Sequence, residues 1–143
     1  MYPHIHETCG PEPESLLVAD IVKNFHGVAI NDEMPDGPWW PQVEEDTALG
    51  YGHALKAAGW FRQEFGGTGE VVAAVSHGTF GAMLIGVLLG TPLNGTVAIS
   101  QGNCCISRLT LETMRASQFS ADAFSTKLWY VNDLSHQPPQ FWS

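Results

Sequence analysis

The stretch VVAAVSHGTFGAMLIGVLLG, residues 71–90, constrains the fold more than any other. Val71–Val75 is a continuous apolar run, the pattern of a strand buried on both faces of a sheet. The run breaks at Ser76-His77-Gly78 and resumes as an apolar helix over Thr79–Leu89. A strand, a tight turn and a helix in that order predict a parallel α/β arrangement, with Val71–Val75 as a central strand and His77 at its carboxyl end. In such sheets ligands bind beyond the strand ends, where helix N-termini direct their unused N–H groups. Gly78 lets the backbone approach a ligand closely, and the helix start favours an anion. A protonated His77 would add a charged donor for an oxyanion. The competing reading is a capping histidine whose ring bonds a neighbouring loop, and position alone does not separate the two.

The rest of the chain supplies the other layers. Apolar residues at helical spacing (Leu16, Leu17, Val18, Ile21, Val22, Phe25) predict a helix over 11–25, stopped by Gly27. Residues 28–42, rich in Pro, Gly, Asp and Asn, read as a loop held by Trp39-Trp40. A second helix is expected over 44–65, with Leu49, Ala54, Leu55, Ala58, Phe61 and Phe65 available for one face. Residues 97–99 are a short strand candidate, 103–111 alternate like a half-buried strand, and 127–133 form another. The expected fold is a single three-layer α/β/α sandwich domain spanning residues 1–143.

Charge removes several classes of function. With 6 Lys and Arg against 15 Asp and Glu, the net charge is −9. That argues against nucleic acid and against an anionic membrane surface, which both demand clustered cations. Only Arg62, Arg108 and Arg115 offer the bidentate fork that suits phosphate. The cysteines Cys9, Cys104 and Cys105 are odd in number and two are adjacent, which fits a reducing, cytoplasmic setting better than a disulfide framework. The N-terminal MYPHIHETCG lacks signal-peptide regions, and the apolar run around Phe80–Leu89 is too short to span a bilayer.

Taken as an ordered set, several segments resemble the histidine phosphatase superfamily, the phosphoglycerate mutase-like fold. VVAAVSHGTFGAMLIGVLLG is similar to its second-histidine motif, where a strand ends in Ser-His-Gly and feeds an apolar helix. HETCG (6–10) looks like the acid-bearing segment, and residues 37–61 like the Trp-rich loop and helix of some members. GNCCISRLTL (102–111) and LWYVNDLSHQP (128–138) look like the closing strands. The resemblance implies phosphoryl transfer on a phosphomonoester, by a phosphatase or a mutase, with a phosphorylated small molecule or phosphopeptide as partner and no cofactor or metal. It assigns His77 and Gly78 to phosphate contact and Glu7 to general acid–base work, with Asn103 and His136 at the rim of the pocket. A carboxyl suits Glu7's role because it must protonate a leaving alkoxide and then take a proton from water.

The departure concerns the nucleophile. The family carries it in an Arg-His-Gly motif upstream of the acid segment, and no Arg-His-Gly occurs in these 143 residues. His53 stands where the related helix often has an arginine. The chain is therefore expected to be the C-terminal portion of such a domain, truncated at its N-terminus and inactive by itself. Open sheet edges would invite pairing with another copy. Two classes stay open: a phosphatase or mutase relative without its nucleophile, and a catalytically dead binding module with a residual anion pocket. Rival constellations are thinner. His4, His6, Glu7 and Cys9 crowd one stretch, but no second cluster completes a tetrahedral metal site. Cys104-Cys105 reads as strand packing with one exposed thiol, and Ser76 lacks a Gly-x-Ser-x-Gly elbow.

Overall fold

A computed structural model of the chain describes residues 17–30, 32, 34, 46–94, 97–113 and 124–141. Three helices and one antiparallel strand pair are found among them: α1 (Val18–Asn24), α2 (Thr47–Phe65), α3 (Gly78–Leu88), β1 (Ile106–Thr113) and β2 (Phe124–Asp133), with a short 3-10 turn at Pro139–Phe141.

Helix α2 begins one residue after Asp46, whose carboxylate accepts the Leu49 N–H at 2.8 Å and so satisfies a donor that the first turn leaves over. Its buried stripe is Gly50, Ala54, Ala57, Ala58 and Phe61, a spacing that keeps one face toward a partner. The face expected from sequence needs correction at Leu49 and Leu55, which are exposed, while Ala57 faces inward. Small side chains along this stripe let α3 approach closely, and the fully buried ring of Phe80 fills the space with Leu84, Val87 and Leu88. Leu109 and Leu111 of β1 close the core from the sheet side. Gly67, in the left-handed region at φ 74°, sends its N–H to the Leu111 carbonyl at 3.1 Å and ties the end of α2 to β1.

Among the described residues the expected central strand finds no partner. Val71–Val75 lies outside any ladder and is exposed throughout, with Val71 at 98% and Val75 at 91%. A strand exists only through its neighbours' hydrogen bonds, and none of the described residues supplies them to this segment. Residues 97–99 likewise form no strand, and β1 starts at Ile106 because residues 101–105 are taken up by a turn. The second and third helices and β2 lie where the sequence puts them, whereas α1 covers Val18–Asn24, with residues 11–16 of its expected span outside the described residues, and buries only Ile21. Glu7, His4, His6, Cys9, Trp39, Trp40 and Arg115 lie outside the described residues.

Close packing of the loop after α3 gives one glycine a specific role. A Cβ at Gly86 would lie 2.8 Å from Thr91 Oγ1, and Thr91 is held in place by its N–H to the Gly86 carbonyl and by the Tyr51 hydroxyl on its own carbonyl at 3.1 Å. Overpacking of this kind costs about 1–3 kcal/mol, more than the ~1 kcal/mol that alanine gains over glycine in a helix. Gly59 in α2 has nothing within 4 Å of such a Cβ. Urea unfolding should show Gly86→Ala destabilised by roughly 1 kcal/mol and Gly59→Ala stabilised by up to about 1 kcal/mol.

Candidate functional site

His77 is the residue that caps α3. Its backbone is extended (φ −111°, ψ 163°), its carbonyl accepts the Gly81 N–H at 2.8 Å, and its ring is exposed and makes no capping bond. The N–H groups of Gly78 and Thr79 precede that first helical bond, so they point out of the helix start without an intrahelical acceptor. His77 therefore stands at a helix N-terminus, as the sequence implies. It does so at the end of an exposed unpaired segment rather than of a buried strand.

The loop that returns from α3 approaches this helix start. A Cβ at Gly78 would meet the Gln101 carbonyl oxygen at 3.5 Å. Gln101 then reaches outward: its Nε2 donates to Ser107 Oγ at 3.1 Å, and its Oε1 accepts the Cys105 thiol at 3.1 Å. Asn132, in the left-handed region at φ 57°, accepts the Gly102 N–H on Oδ1 at 2.6 Å and donates its own N–H to Ser107 Oγ at 3.0 Å. Gln137 Nε2 donates to the Asn103 carbonyl at 2.8 Å. The 101–105 turn and the 132–137 turn are thus joined by hydrogen bonds, and the Gln101 carbonyl packs against the start of α3. Gly78, Asn103 and His136 belong to those three pieces, and the latter two side chains are exposed. Sequence reasoning missed Gln101 and Ser107, which carry no motif.

A groove of about 720 Å³ runs along α3 from Gly78 and Thr79 past Ala82 and Gly86, closed by Tyr51 and by Leu93 and Ile99. His77 does not line it. Among the described residues the groove walls carry no charged side chain.

The arginines are placed elsewhere. Arg62 Nη2 donates to the carbonyls of Val87 (3.4 Å) and Leu88 (3.1 Å), at the opposite end of α3 from His77. The Arg108 guanidinium lies 5.4 Å from the Trp129 ring centroid, which Lys127 also covers at 3.9 Å. Among the described residues no group of three or more His, Cys, Asp or Glu could hold a metal ion. No helix of the described residues is long and apolar enough to cross a membrane.

Two titrating groups flank the joined turns. Ser135 holds the Asp133 carboxyl below the ordinary range through its N–H at 2.9 Å and its side chain, with His136 adding a smaller charge effect. A depressed carboxyl contributes its stabilisation above the ordinary aspartate range and loses it as the pH falls through its folded value. Burial pushes the Cys105 thiol above its ordinary value, against the opposing hydrogen bonds of Gly102 and of its own backbone. Cys104, exposed at φ 56°, is the more accessible of the pair, and both sit in a turn rather than in the strand expected there. Peptide mapping after limited alkylation with iodoacetamide should show Cys104 modified ahead of Cys105. The rate at Cys105 should rise with pH to a midpoint above that of an ordinary thiol, because the thiolate is the reacting species.

The family model described as "Histidine phosphatase superfamily (branch 1)" matches residues 11–120. Neither a curated protein nor a solved structure matches the chain. The matched span contains His77, Gly78 and Asn103 and does not reach Glu7 or His136. With well over half of its length matched, and with a Ser-His-Gly turn feeding an apolar helix at the expected place, the chain belongs to the histidine phosphatase superfamily and to its α/β class of fold.

Proposed function

We propose that the start of α3, with the exposed ring of His77 and the outward N–H groups of Gly78 and Thr79, holds the phosphoryl group of a phosphomonoester. The observation that carries this reading is the coincidence of the family's second histidine with a helix N-terminus whose first N–H groups have no intrahelical acceptor. Asn103 and His136, on the two joined turns beside that helix start, are assigned to the rim, and Glu7 to the general acid. The ligand class is a phosphorylated small molecule or a phosphopeptide. A single three-layer sandwich over 1–143 is the architecture assigned to the domain once Val71–Val75 is taken into a sheet. Free Cys104 and Cys105 favour a reducing, cytoplasmic compartment.

Chemistry beyond binding needs a second imidazole to attack phosphorus in line with the leaving oxygen. No Arg-His-Gly motif supplies one, and the arginine nearest in the helical core, Arg62, is spent on the far end of α3. Binding without turnover is accordingly the activity assigned to these residues. Inorganic phosphate titrated into the labelled protein should shift the amide signals of Gly78 and Thr79 and the ring signals of His77. His77→Ala should weaken that binding about tenfold, the worth of one charge-assisted hydrogen bond. Hydrolysis of p-nitrophenyl phosphate should be no faster with the wild-type chain than with His77→Ala. Turnover lost in His77→Ala would overturn the inactive assignment, with His53 and His136 as the histidines to substitute next. Phosphate shifts that leave residues 77–79 untouched would overturn the site.

A further inference from the structure

Gln101 lies along the first turn of α3. Its carbonyl oxygen is 3.5 Å from the place of a Cβ on Gly78, and its Oε1 is 3.8 Å from that of a Cβ on Gly81. Among the described residues outside α3, no other atom comes within 4 Å of either place. The two glycines belong to the same ring of backbone, closed by the Gly81 N–H on the His77 carbonyl at 2.8 Å, and this ring aims the Gly78 and Thr79 N–H groups. Two glycines in one turn leave its backbone weakly determined, each at a cost of about 1 kcal/mol against alanine. The His77 side chain makes no capping bond that would tighten it. Phe80 anchors the turn on the core side by burial, and Gln101 bounds it from another side.

The carboxamide of Gln101 is held at both of its ends. The Cys105 thiol donates to Oε1 at 3.1 Å, and Nε2 donates to Ser107 Oγ at 3.1 Å. Ser107 Oγ is fixed in turn by the Asn132 N–H, which it accepts at 3.0 Å. A glutamine so clamped gives up the rotamer freedom that a solvent-facing one keeps. What the clamp achieves lies at the helix start, because an anion is held well only by donors that already point at it before it arrives. We propose that Gln101 is a positioning residue for the phosphate site. Through its bonds to Cys105 and Ser107 it holds the first turn of α3 so that the Gly78 and Thr79 N–H groups converge on one oxyanion. The role rests on the reading of the α3 start as the phosphate site. Gln101 acts through the backbone at Gly78 and Gly81 and is assigned no contact with the ligand.

Cys105 is bonded to Gln101 and not to the helix, so a double-substitution cycle reads the link between them. Inorganic phosphate, followed by the Gly78 and Thr79 amide signals of the labelled protein, should bind Gln101→Ala about threefold to tenfold more weakly than wild type. Cys105→Ala should weaken binding about twofold to threefold, and Cys105→Ser, whose hydroxyl replaces the thiol as donor, should restore it. In the Gln101→Ala background Cys105→Ala should change nothing further, whereas a general loss of packing would add to the first effect. Without phosphate, Gln101→Ala and Cys105→Ala should each shift the amide signals of Gly78 and Gly81 while the far-ultraviolet circular dichroism stays that of wild type. Unchanged phosphate affinity in Gln101→Ala overturns the proposal, and so does a Cys105→Ala effect of equal size with and without Gln101. Should Gln101→Ala fail to fold, the two Cys105 variants decide, and a loss that serine does not restore overturns the role. Wild-type signals at residues 77–79 that ignore phosphate overturn the site itself and this role with it, whereas the other failures leave the site standing.

Discussion

The contact between α2 and α3 is the interaction on which everything else rests. Ala54, Ala57 and Ala58 bring the two helices close enough for Phe80 to be wholly enclosed, and the remaining core residues are arranged around that ring. Leu109 and Leu111 join the same core, so the hairpin is held to the helices by its apolar face rather than by further strands. A two-stranded ribbon is marginal by itself in water, and packing against helices is what stabilises it. The register shifts near Arg108 bend β1 just where it leaves the core and meets the polar turn at 101–105. Phe80 follows His77 by three residues, so the burial that fixes the helix also fixes where its first turn, and therefore the candidate anion site, stands.

How legible this was depended on whether a feature is local. Helix α3 declares itself through an unbroken apolar run after a glycine, and α2 through an apolar pattern that ends in glycines, whereas its Asp46 cap was not read from the sequence. The hairpin strands alternate as a half-buried pair must. The helices need only neighbouring residues to form, and each hairpin strand finds its partner in the other. Val71–Val75 has the same kind of local signal and yet pairs with no strand among the described residues, because a strand's hydrogen bonds belong to another segment that local pattern does not name. Leu55 was misjudged for a related reason: helical spacing allows several faces, and only the approach of α3 selects the one built on Ala57.

The candidate site was legible in its centre and not in its frame. The Ser-His-Gly turn points to His77 and Gly78 at a helix start, and the family resemblance rather than position alone assigns them to phosphate contact. Gln101 and Ser107 act through single hydrogen bonds that join loops distant in sequence, and neither residue type stands out in a chain with many polar loop residues. Asn132 gave a partial signal. Its left-handed backbone is one that asparagine tolerates better than most residues, and the same side chain reaches across to Gly102.

The distribution of cations bears directly on the anion site proposed at the start of α3. A phosphomonoester brings two negative charges into a surface already carrying a net −9. Stabilising it in water-exposed surroundings takes several fixed donors, because each exposed charge contact is worth little. Among the described residues the helix start has the α3 dipole and the His77 imidazole, while Arg62 satisfies carbonyls at the helix end and Arg108 is stacked on Trp129. Moving Arg62 toward His77 would leave the last carbonyls of α3 without their donor, inside the contact that holds the core together. The core and an anion clamp therefore compete for the same guanidinium, and in this chain the core has it.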